Sequence, residues 1–504
     1  ALVVDGTGSK GLKANIGIKE DRIICISTES LNGKKMLEAS GLVAAPGFID
    51  VHSHGDLLPL LREDYRLSRL RQGITSEIVG QCGVSILPVA KKGMEDYQEY
   101  IKPIVGDIGN KWDFEDLDSY VKVIKGKMPH NMGFLIGLST LRSNVCGFEE
   151  KALNPREIAK MTALYEKELK AGALGLSLGL SYLPGVFANK EELLALARIT
   201  KKYDRIIMAH IRSHGLNMLA AIDEFVQLGR ETGVRIHISH CRSYGYDKYG
   251  QPAQIILNKL AEYRSEGIRL TVDQHPYANG STFLNQLFPP QYRDYTTYGD
   301  KGILKKIESI ITDENYQLEG WDNFLLMVGY ENILIPAYGL DLLSMAKKEG
   351  KRPFDKLVEI LIKEKGNTAM VVKKMFLEED ITKLLRDPDT FIGSDGLPSG
   401  DNPHPRLFGA FPKIISKYVR ELKVLTLEEA VYKMTGDDLL EKRGKIKAGY
   451  HADIVLFSLE EFSHKEDYLN KNLEPTGIKA VIVNGQVAYL TGKYQGDHGV
   501  AIRG

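Results

Sequence analysis

Short apolar segments alternate with longer segments whose apolar residues recur at helical spacing, and this alternation fills the middle of the chain. Segments 216–229 and 253–267 show the helical spacing most clearly. Eight other segments have the apolar, β-branched character of buried parallel strands: 48–51, 74–79, 132–136, 174–178, 206–211, 234–239, 270–273 and 391–393. Strands that alternate with helices predict an α/β fold, and eight such units predict a (β/α)₈ TIM-like barrel.

The two chain ends carry a different pattern, in which short strands are separated by turns. At the start these strands are 2–4, 14–18 and 22–26. Near the end they are 452–457 and 480–483, and the second is followed by the hairpin pair Asn484-Gly485. We expect residues 1–46 and 437–504 to meet in a small β-sandwich domain, with the barrel spanning 47–436.

The longest segment between predicted strands separates the seventh strand from the eighth. It contains an aromatic and proline-rich stretch at 288–298, followed by segments with helical spacing. Long insertions on the active face of a barrel often cover a binding site. We therefore expect an insertion at about 284–340 that can act as a lid.

The amino-acid composition limits the kinds of partner that we expect the protein to bind. Lys and Arg total 66 and Asp and Glu total 66, so no excess charge favours nucleic acid or an anionic membrane. No apolar run reaches the roughly 18 residues of a membrane helix. The four cysteines form no CxxC pair or disulfide framework, which favours a reducing, cytoplasmic location. We expect a small-molecule partner, no nucleic acid and no membrane, and either a monomer or an oligomer.

Side chains that can bind metals follow five of the predicted strands. The carboxyl ends of all strands of such a barrel meet at one mouth, where active sites are built. The candidate groups, all of types that zinc takes, are His52, His54, Cys82, His210, His240 and Asp395. A single histidine in an apolar strand is ordinarily a buried core residue. Six such groups at one mouth instead predict a metal site.

The residues at these strand ends resemble those of the metal-dependent amidohydrolase superfamily and, within it, the N-acyl-D-amino-acid deacylases (D-aminoacylases). The resemblance covers nearly the whole chain. Its motifs lie at 4–8, 45–50, 73–75, 80–83, 172–177, 238–240, 393–396, 404–406 and 444–449. Cys82 is the most specific feature, because most binuclear members use a carboxylated lysine as the shared ligand and this subfamily resembles a cysteine variant.

The resemblance implies zinc-dependent hydrolysis of the amide bond of N-acyl-D-amino acids, which releases a carboxylic acid and a D-amino acid. It implies a tight zinc site at Cys82, His210 and His240. It also implies a second, weaker site at His52 and His54 that can share Cys82. Six groups of these types have no reason to stand together in a non-catalytic scaffold, and Cys82 argues against a single-metal deaminase.

The resemblance also implies that Asp395 is the acid/base. A carboxylate beside zinc can take a proton from water and later return it to the nitrogen of the leaving amine. This chemistry agrees with the residue types that the strand ends carry, and Asp395 is the carboxylate among them.

Substrate binding follows the family pattern with departures. The resemblance implies that Arg406 and Arg242 face the substrate carboxylate, although the family has a lysine at the second position. His275 stands where the family has a tyrosine, and His214 stands where it has a glutamate. These histidines can alter substrate preference, add a metal contact or be neutral.

Two further residues, Ser281 and Tyr182, are candidate donors in the substrate pocket. The departures at the mouth leave a second function open. In that alternative the chain is an amidohydrolase that acts on a cyclic amide or another acidic amide, as hydantoinase-like and dihydroorotase-like relatives do.

Overall fold

Eight parallel strands form the centre of the molecule in the computed structural model, which describes residues 1–89, 94–244, 250–366, 368–400, 402–436, 438–469 and 473–504. In chain order the strands are β1 (Phe48–Asp50), β2 (Ile74–Val79), β3 (Asn131–Gly137), β4 (Gly175–Gly179), β5 (Ile206–His210), β6 (Arg235–Ile238), β7 (Leu270–Gln274) and β8 (Thr390–Ile392). Each pairs in parallel with its neighbours in the chain, from β1 to β8. The predicted barrel strands are confirmed.

The barrel closes at its carboxyl end, where β1 and β8 continue into the loops that carry candidate site residues. The backbone N–H of Asp395 donates to the carbonyl of His52 at 2.8 Å, and Ser53 and Gly396 form a parallel bridge. Closer to the strands themselves, the backbone N–H of Ser394 donates to the buried Asp50 carboxylate at 2.7 Å. The first and last strands are therefore held together at the mouth, which makes His52 and Asp395 neighbours.

The helices lie mainly between the barrel strands and after β8. They are Glu63–Arg66, Glu95–Val105, Leu117–Ile124, Leu138–Cys146, Pro155–Lys170, Lys190–Lys202, Met218–Thr232, Ala253–Ser265, Lys301–Ile311, Phe324–Val328, Leu342–Glu349, Pro353–Lys363, Glu378–Leu385, Arg406–Lys413 and Leu427–Lys433, with a π-helix at Ile414–Glu421. The helix Pro155–Lys170 is capped at its start, since the Asn154 side chain accepts from two backbone N–H groups of the first turn. Within the described ranges no helix has the length and hydrophobicity to cross a bilayer.

Strands from both chain ends share one seven-stranded sheet. It joins Leu12–Lys13, Leu2–Val3 and Val43–Pro46 to Ile454–Phe457, Ile478–Val483, Gln486–Leu490 and Lys493–Tyr494. The hairpin Asn15–Lys19 and Arg22–Ser27 forms a separate two-stranded sheet, and Ala501–Ile502 pairs with β3. Asn484 and Gly485 form the predicted tight turn, with positive φ at both residues. The predicted boundary at residue 437 lies outside the described residues.

The segment between β7 and β8 folds as a layer of its own. Its strands Gly280–Phe283, Ala369–Val372, Ile333–Ile335 and Leu340–Asp341 form a four-stranded sheet in that order. A separate apolar cluster fills this layer, and it includes Leu284, Phe288 and Trp321. Because the layer has its own core, its residues can be held rigidly above the barrel mouth.

Candidate active site

The residues singled out in the sequence converge at the barrel mouth. All of them except His52, His214 and Arg242 line one cavity, namely His54, Cys82, Tyr182, His210, His240, His275, Ser281, Asp395 and Arg406. His52, His214 and Arg242 are fully buried. The structure thus brings side chains from distant parts of the chain to one enclosed place.

Three candidate residues have a backbone that L-amino acids rarely adopt. The φ angles are 54° at Cys82, 35° at His240 and 49° at Asp395. Each residue follows a barrel strand, so the positive φ turns the chain sharply as it leaves the sheet. Strained backbone of this kind concentrates at functional sites, where the surrounding structure maintains it.

The Cys82 thiol lies between two imidazoles. Its Sγ atom is 3.4 Å from Nε2 of His52 and 3.5 Å from Nε2 of His240. All three side chains are buried, and their ligand atoms lie close enough together to bind a single metal ion. Thiolate and imidazole together are a ligand set that favours zinc.

Asp395 faces the same centre from the other side. Its Oδ1 atom is 3.6 Å from Nε2 of His52 and 3.4 Å from Nε2 of His54, and its Oδ2 atom is 2.8 Å from Nη1 of Arg406. Burial raises the pKa of Asp395, but the Arg406 guanidinium together with His54 and His52 outweighs burial and holds this pKa below its usual range. The carboxylate is therefore ionised and able to accept a proton.

Asp273, at the end of β7, orients the histidines, and the sequence did not mark it as a site residue. Its carboxylate accepts from Nδ1 of His52 at 3.1 Å and from the backbone N–H of His240 at 2.8 Å. It also lies 2.8 Å from Nε2 of His237. In the neutral ring, with the proton on Nδ1, Nε2 of His52 carries the lone pair and faces Cys82. A carboxylate behind a metal-binding histidine is the arrangement found in zinc enzymes.

Ser53 lies between the two histidines of the first strand end and points the other way. Its hydroxyl donates to Glu77 at 2.7 Å and accepts from Nη2 of Arg69 at 2.7 Å. Burial opposes ionisation of Glu77, but Arg69 and His130 lower its pKa to about 2. This ion-pair network anchors the loop, so His52 and His54 can both face the mouth, as their spacing predicts.

A third histidine lies close to His210 and His240. The Nδ1 atom of His210 is 3.0 Å from Nε2 of His240, and the His214 ring centroid is 4.8 Å and 4.9 Å from these two rings. Burial lowers the pKa of His214 to about 4. Neutral imidazoles have the lone pairs that metal binding needs.

Two arginines and His275 form a buried cluster beside the cavity. Nε2 of His275 accepts from Nη2 of Arg242 at 2.8 Å and lies 3.3 Å from Nη1 of Arg406. Burial and the two guanidinium groups lower the pKa of His275, so this imidazole is neutral. These contacts with the neutral His275 ring restrict the orientation of both guanidinium groups.

The remaining candidates are Ser281 and Tyr182. The contact of Ser281 is through its backbone carbonyl, which accepts from Nη2 of Arg406 at 3.1 Å. The Tyr182 hydroxyl lies 3.1 Å from the hydroxyl of Thr282, and its ring packs on His210. Both residues line the cavity, so each can contact a bound molecule.

Apolar side chains that the sequence did not indicate complete the wall. Met375 and Phe376 come from the layer between β7 and β8, and Tyr244 comes from the loop after β6. The Arg242 guanidinium carbon lies 3.9 Å above the Phe376 ring, a cation–π contact that fixes this arginine further. These residues carry no periodic or motif signal, so only the fold reveals them.

Comparisons with known proteins agree with this geometry. A model of the amidohydrolase family matches residues 357–489. The chain is 31% identical to D-aminoacylase from Alcaligenes xylosoxydans xylosoxydans over 98% of this chain and 94% of that protein. It is 30% identical to N-acyl-D-glutamate deacylase from the same organism, over 96% of this chain and 91% of that protein.

Among solved structures, the chain is similar to N-acyl-D-glutamate deacylase from Bordetella bronchiseptica. The two superpose with a TM-score of 0.83 at 27% identity, covering 100% of this chain and 98% of the other. That crystal structure contains zinc and a phosphonate inhibitor that mimics the tetrahedral intermediate of the reaction. The similarity extends over the barrel, the layer above it and both chain ends.

Proposed function

The chain belongs to the D-aminoacylase family of amidohydrolases, and we propose that it hydrolyses the amide bond of N-acyl-D-amino acids, releasing a carboxylic acid and a D-amino acid. One observation carries this proposal. Buried imidazole, thiolate and carboxylate groups converge at one barrel mouth, together with Arg406, which can bind an acidic substrate. The enzyme class that follows is a metal-dependent hydrolase of non-peptide C–N bonds.

The metal is zinc, because the donor set of nitrogen and sulfur atoms fits it. Cys82, His210 and His240 would hold the tight ion. His52 and His54 would hold a second, weaker ion, and the position of Cys82 next to His52 allows the thiolate to be shared. When bound, zinc makes water acidic enough to react near neutral pH and polarises a carbonyl oxygen.

Asp395 is the group that moves the proton. It is ionised, buried at the mouth and within 3.6 Å of His52. It would accept the proton of the attacking water and then donate it to the nitrogen of the leaving amine. Its ion pair with Arg406 supports the ionised form before the reaction begins.

Arg242 and Arg406 are proposed to bind the α-carboxylate of the substrate. Guanidinium groups pair with carboxylates through two parallel hydrogen bonds, and fixed orientation makes such binding selective. His275 contacts both groups through Nε2, which accepts from Arg242 and lies 3.3 Å from Nη1 of Arg406. Ser281 and Tyr182 would contact the rest of the substrate.

The wider organisation is also a proposal. Residues 1–46 and 437–504 would form a β-sandwich domain beside a barrel of residues 47–436, and the shared sheet of both chain ends supports this. Residues 284–340 would act as a lid. The partner would be a small molecule with a carboxylate and not nucleic acid. The four free cysteines suit a reducing cytoplasm.

Amine release from matched substrates tests the function. Zinc-loaded protein is incubated with N-acetyl-D- and N-acetyl-L-amino acids that carry neutral and acidic side chains, with their α-carboxamides and with cyclic amides. We expect release from D-substrates and little from their L-enantiomers. We also expect kcat/KM to fall at least about 100-fold when the α-carboxylate is replaced by a carboxamide, because the buried arginines then lose their partner.

Ring opening of cyclic amides without cleavage of any linear substrate would favour the alternative amidohydrolase. Equal cleavage of both enantiomers would contradict the stereochemistry. If the carboxamides were cleaved as well as the acids, Arg242 and Arg406 would not be the carboxylate site.

A further inference from the structure

His214 is held at the mouth with one ring nitrogen free. Nδ1 of His214 is 3.2 Å from the carbonyl of Arg242, an oxygen that can only accept, so this nitrogen carries the proton. Nε2 is therefore left with a lone pair. It is buried and has no hydrogen-bond partner among the residues that the structure describes. A buried lone pair without a partner is costly unless it serves a ligand.

The His214 ring lies beside two other histidines whose ring nitrogens could bind the same metal ion. One ligand atom each from His210, His214 and His240 lies within 4.8 Å of the others. Two nitrogens bound to one tetrahedral zinc are about 3.3–3.4 Å apart, given bonds of about 2.0–2.1 Å. The 3.0 Å between Nδ1 of His210 and Nε2 of His240 is close to that separation.

We infer that His214 is a metal ligand that joins His210 and His240 at the tight zinc site. This inference rests on the proposed metal dependence, and it adds a ligand where the family pattern has a glutamate. The ion that Cys82, His210 and His240 would hold then gains His214 as a further ligand, and imidazole and thiolate are both ligand types that zinc takes. His240 belongs both to this group and to the group of His52 and Cys82.

The backbone of His214 is fixed from several sides, as a ligand requires. Its N–H donates to Asp322 at 2.9 Å, and its carbonyl accepts from the N–H of Tyr244 at 2.6 Å. The Ser213 hydroxyl donates to the other oxygen of Asp322 at 2.7 Å. Asp322 belongs to the layer between β7 and β8, so this layer helps to position the third histidine.

Metal binding tests the inference without any need for turnover. Metal-free wild-type protein and His214→Ala are titrated with zinc against a chromophoric chelator, and folding is checked by circular dichroism. Loss of a carboxylate or carbonyl behind a ligand typically costs 10–100-fold in metal affinity, so loss of a direct ligand should cost at least about tenfold. His404→Ala is the matched control, because His404 is a buried histidine near the mouth whose Nε2 is also without a partner in the described chain.

The expected result is a weaker zinc site in His214→Ala and wild-type affinity in His404→Ala. Equal affinity of His214→Ala and the wild type would overturn the inference. If His214→Ala fails to fold, an anomalous difference map of zinc-loaded wild-type crystals decides instead. A zinc peak about 2.0–2.1 Å from Nε2 of His214 supports the site, and a peak that His214 does not contact overturns it. The substrate panel can fail while this site stands, because metal binding is measured without substrate.

Discussion

Asp395→Asn is expected to abolish nearly all amide hydrolysis while the protein stays folded and keeps its zinc. An amide side chain cannot take a proton from water at neutral pH, whereas the ionised Asp395 beside His52 and His54 can. General acid–base groups contribute about 10²–10⁴-fold to a rate, so kcat should fall by at least about 100-fold.

The measurement is amine release at saturating substrate, with bound zinc determined by elemental analysis of the same samples. Asp389→Asn is the control, because Asp389 is a partly exposed aspartate just before β8, at the end of the strand away from the mouth. It should retain wild-type turnover. Turnover of Asp395→Asn within about tenfold of the wild type would remove Asp395 from the acid/base role.

Cys82→Ala is expected to lower the amount of bound zinc and, with it, activity. The Cys82 thiol lies within 3.5 Å of both His52 and His240, so its loss removes the only sulfur donor from the metal groups of the described chain. Methyl in place of thiolate cannot bind a metal. Zinc per chain, measured after dialysis against a weak chelator, should fall below the wild-type value.

Cys146→Ala is the matched control, since Cys146 is another buried cysteine that lies in the helix Leu138–Cys146 and not at the mouth. It should bind as much zinc as the wild type. Unchanged zinc in Cys82→Ala would exclude the thiolate as a ligand and leave the histidines as the metal site.

Much of the barrel was predictable because burial on both faces leaves a strong mark on parallel strands. Every residue of strands β2 and β5 is buried, and helices with regularly spaced apolar residues separate the strands along the chain. The candidate ligands were predictable for a related reason. They follow the strands directly, and topology alone brings such residues to one mouth.

The layer above the mouth was less predictable. Its short strands pair across long stretches of chain, as Gly280–Phe283 pairs with Ala369–Val372, and no local pattern specifies such partners. For the same reason Phe376 and Tyr244 were not expected at the site. Contacts of this kind depend on tertiary packing and carry no period along the sequence.

The carboxylates that orient the candidate ligands were not predicted from the sequence, for a different reason. Asp273 lies near the end of an apolar strand and Glu77 lies inside one, where a charged residue interrupts the apolar pattern. Their partners, such as His52 and Arg69, are far away in the chain or carry no motif. A buried acid in a barrel strand is a signal that a partner or a function exists, since an unpaired buried charge is too costly to keep.

The structure places the two histidines that depart from the family pattern in different surroundings. His275 contacts both arginines, which is why we propose that it affects substrate binding. His214 lies beside His210 and His240 with Nε2 free of hydrogen bonds in the described chain, which is why we propose that it affects the metal. The sequence alone could not separate these roles, because both residues are histidines near the same mouth.

Removal and return of zinc tests the central claim most directly. The protein is stripped with a chelator, reloaded with measured amounts of zinc, and assayed for amine release from the N-acetyl-D-amino acid that it cleaves best. The account predicts no turnover in the stripped protein and turnover that rises with bound zinc. A stripped protein that cleaves the substrate as fast as the reloaded one would contradict a metal-dependent reaction at this mouth.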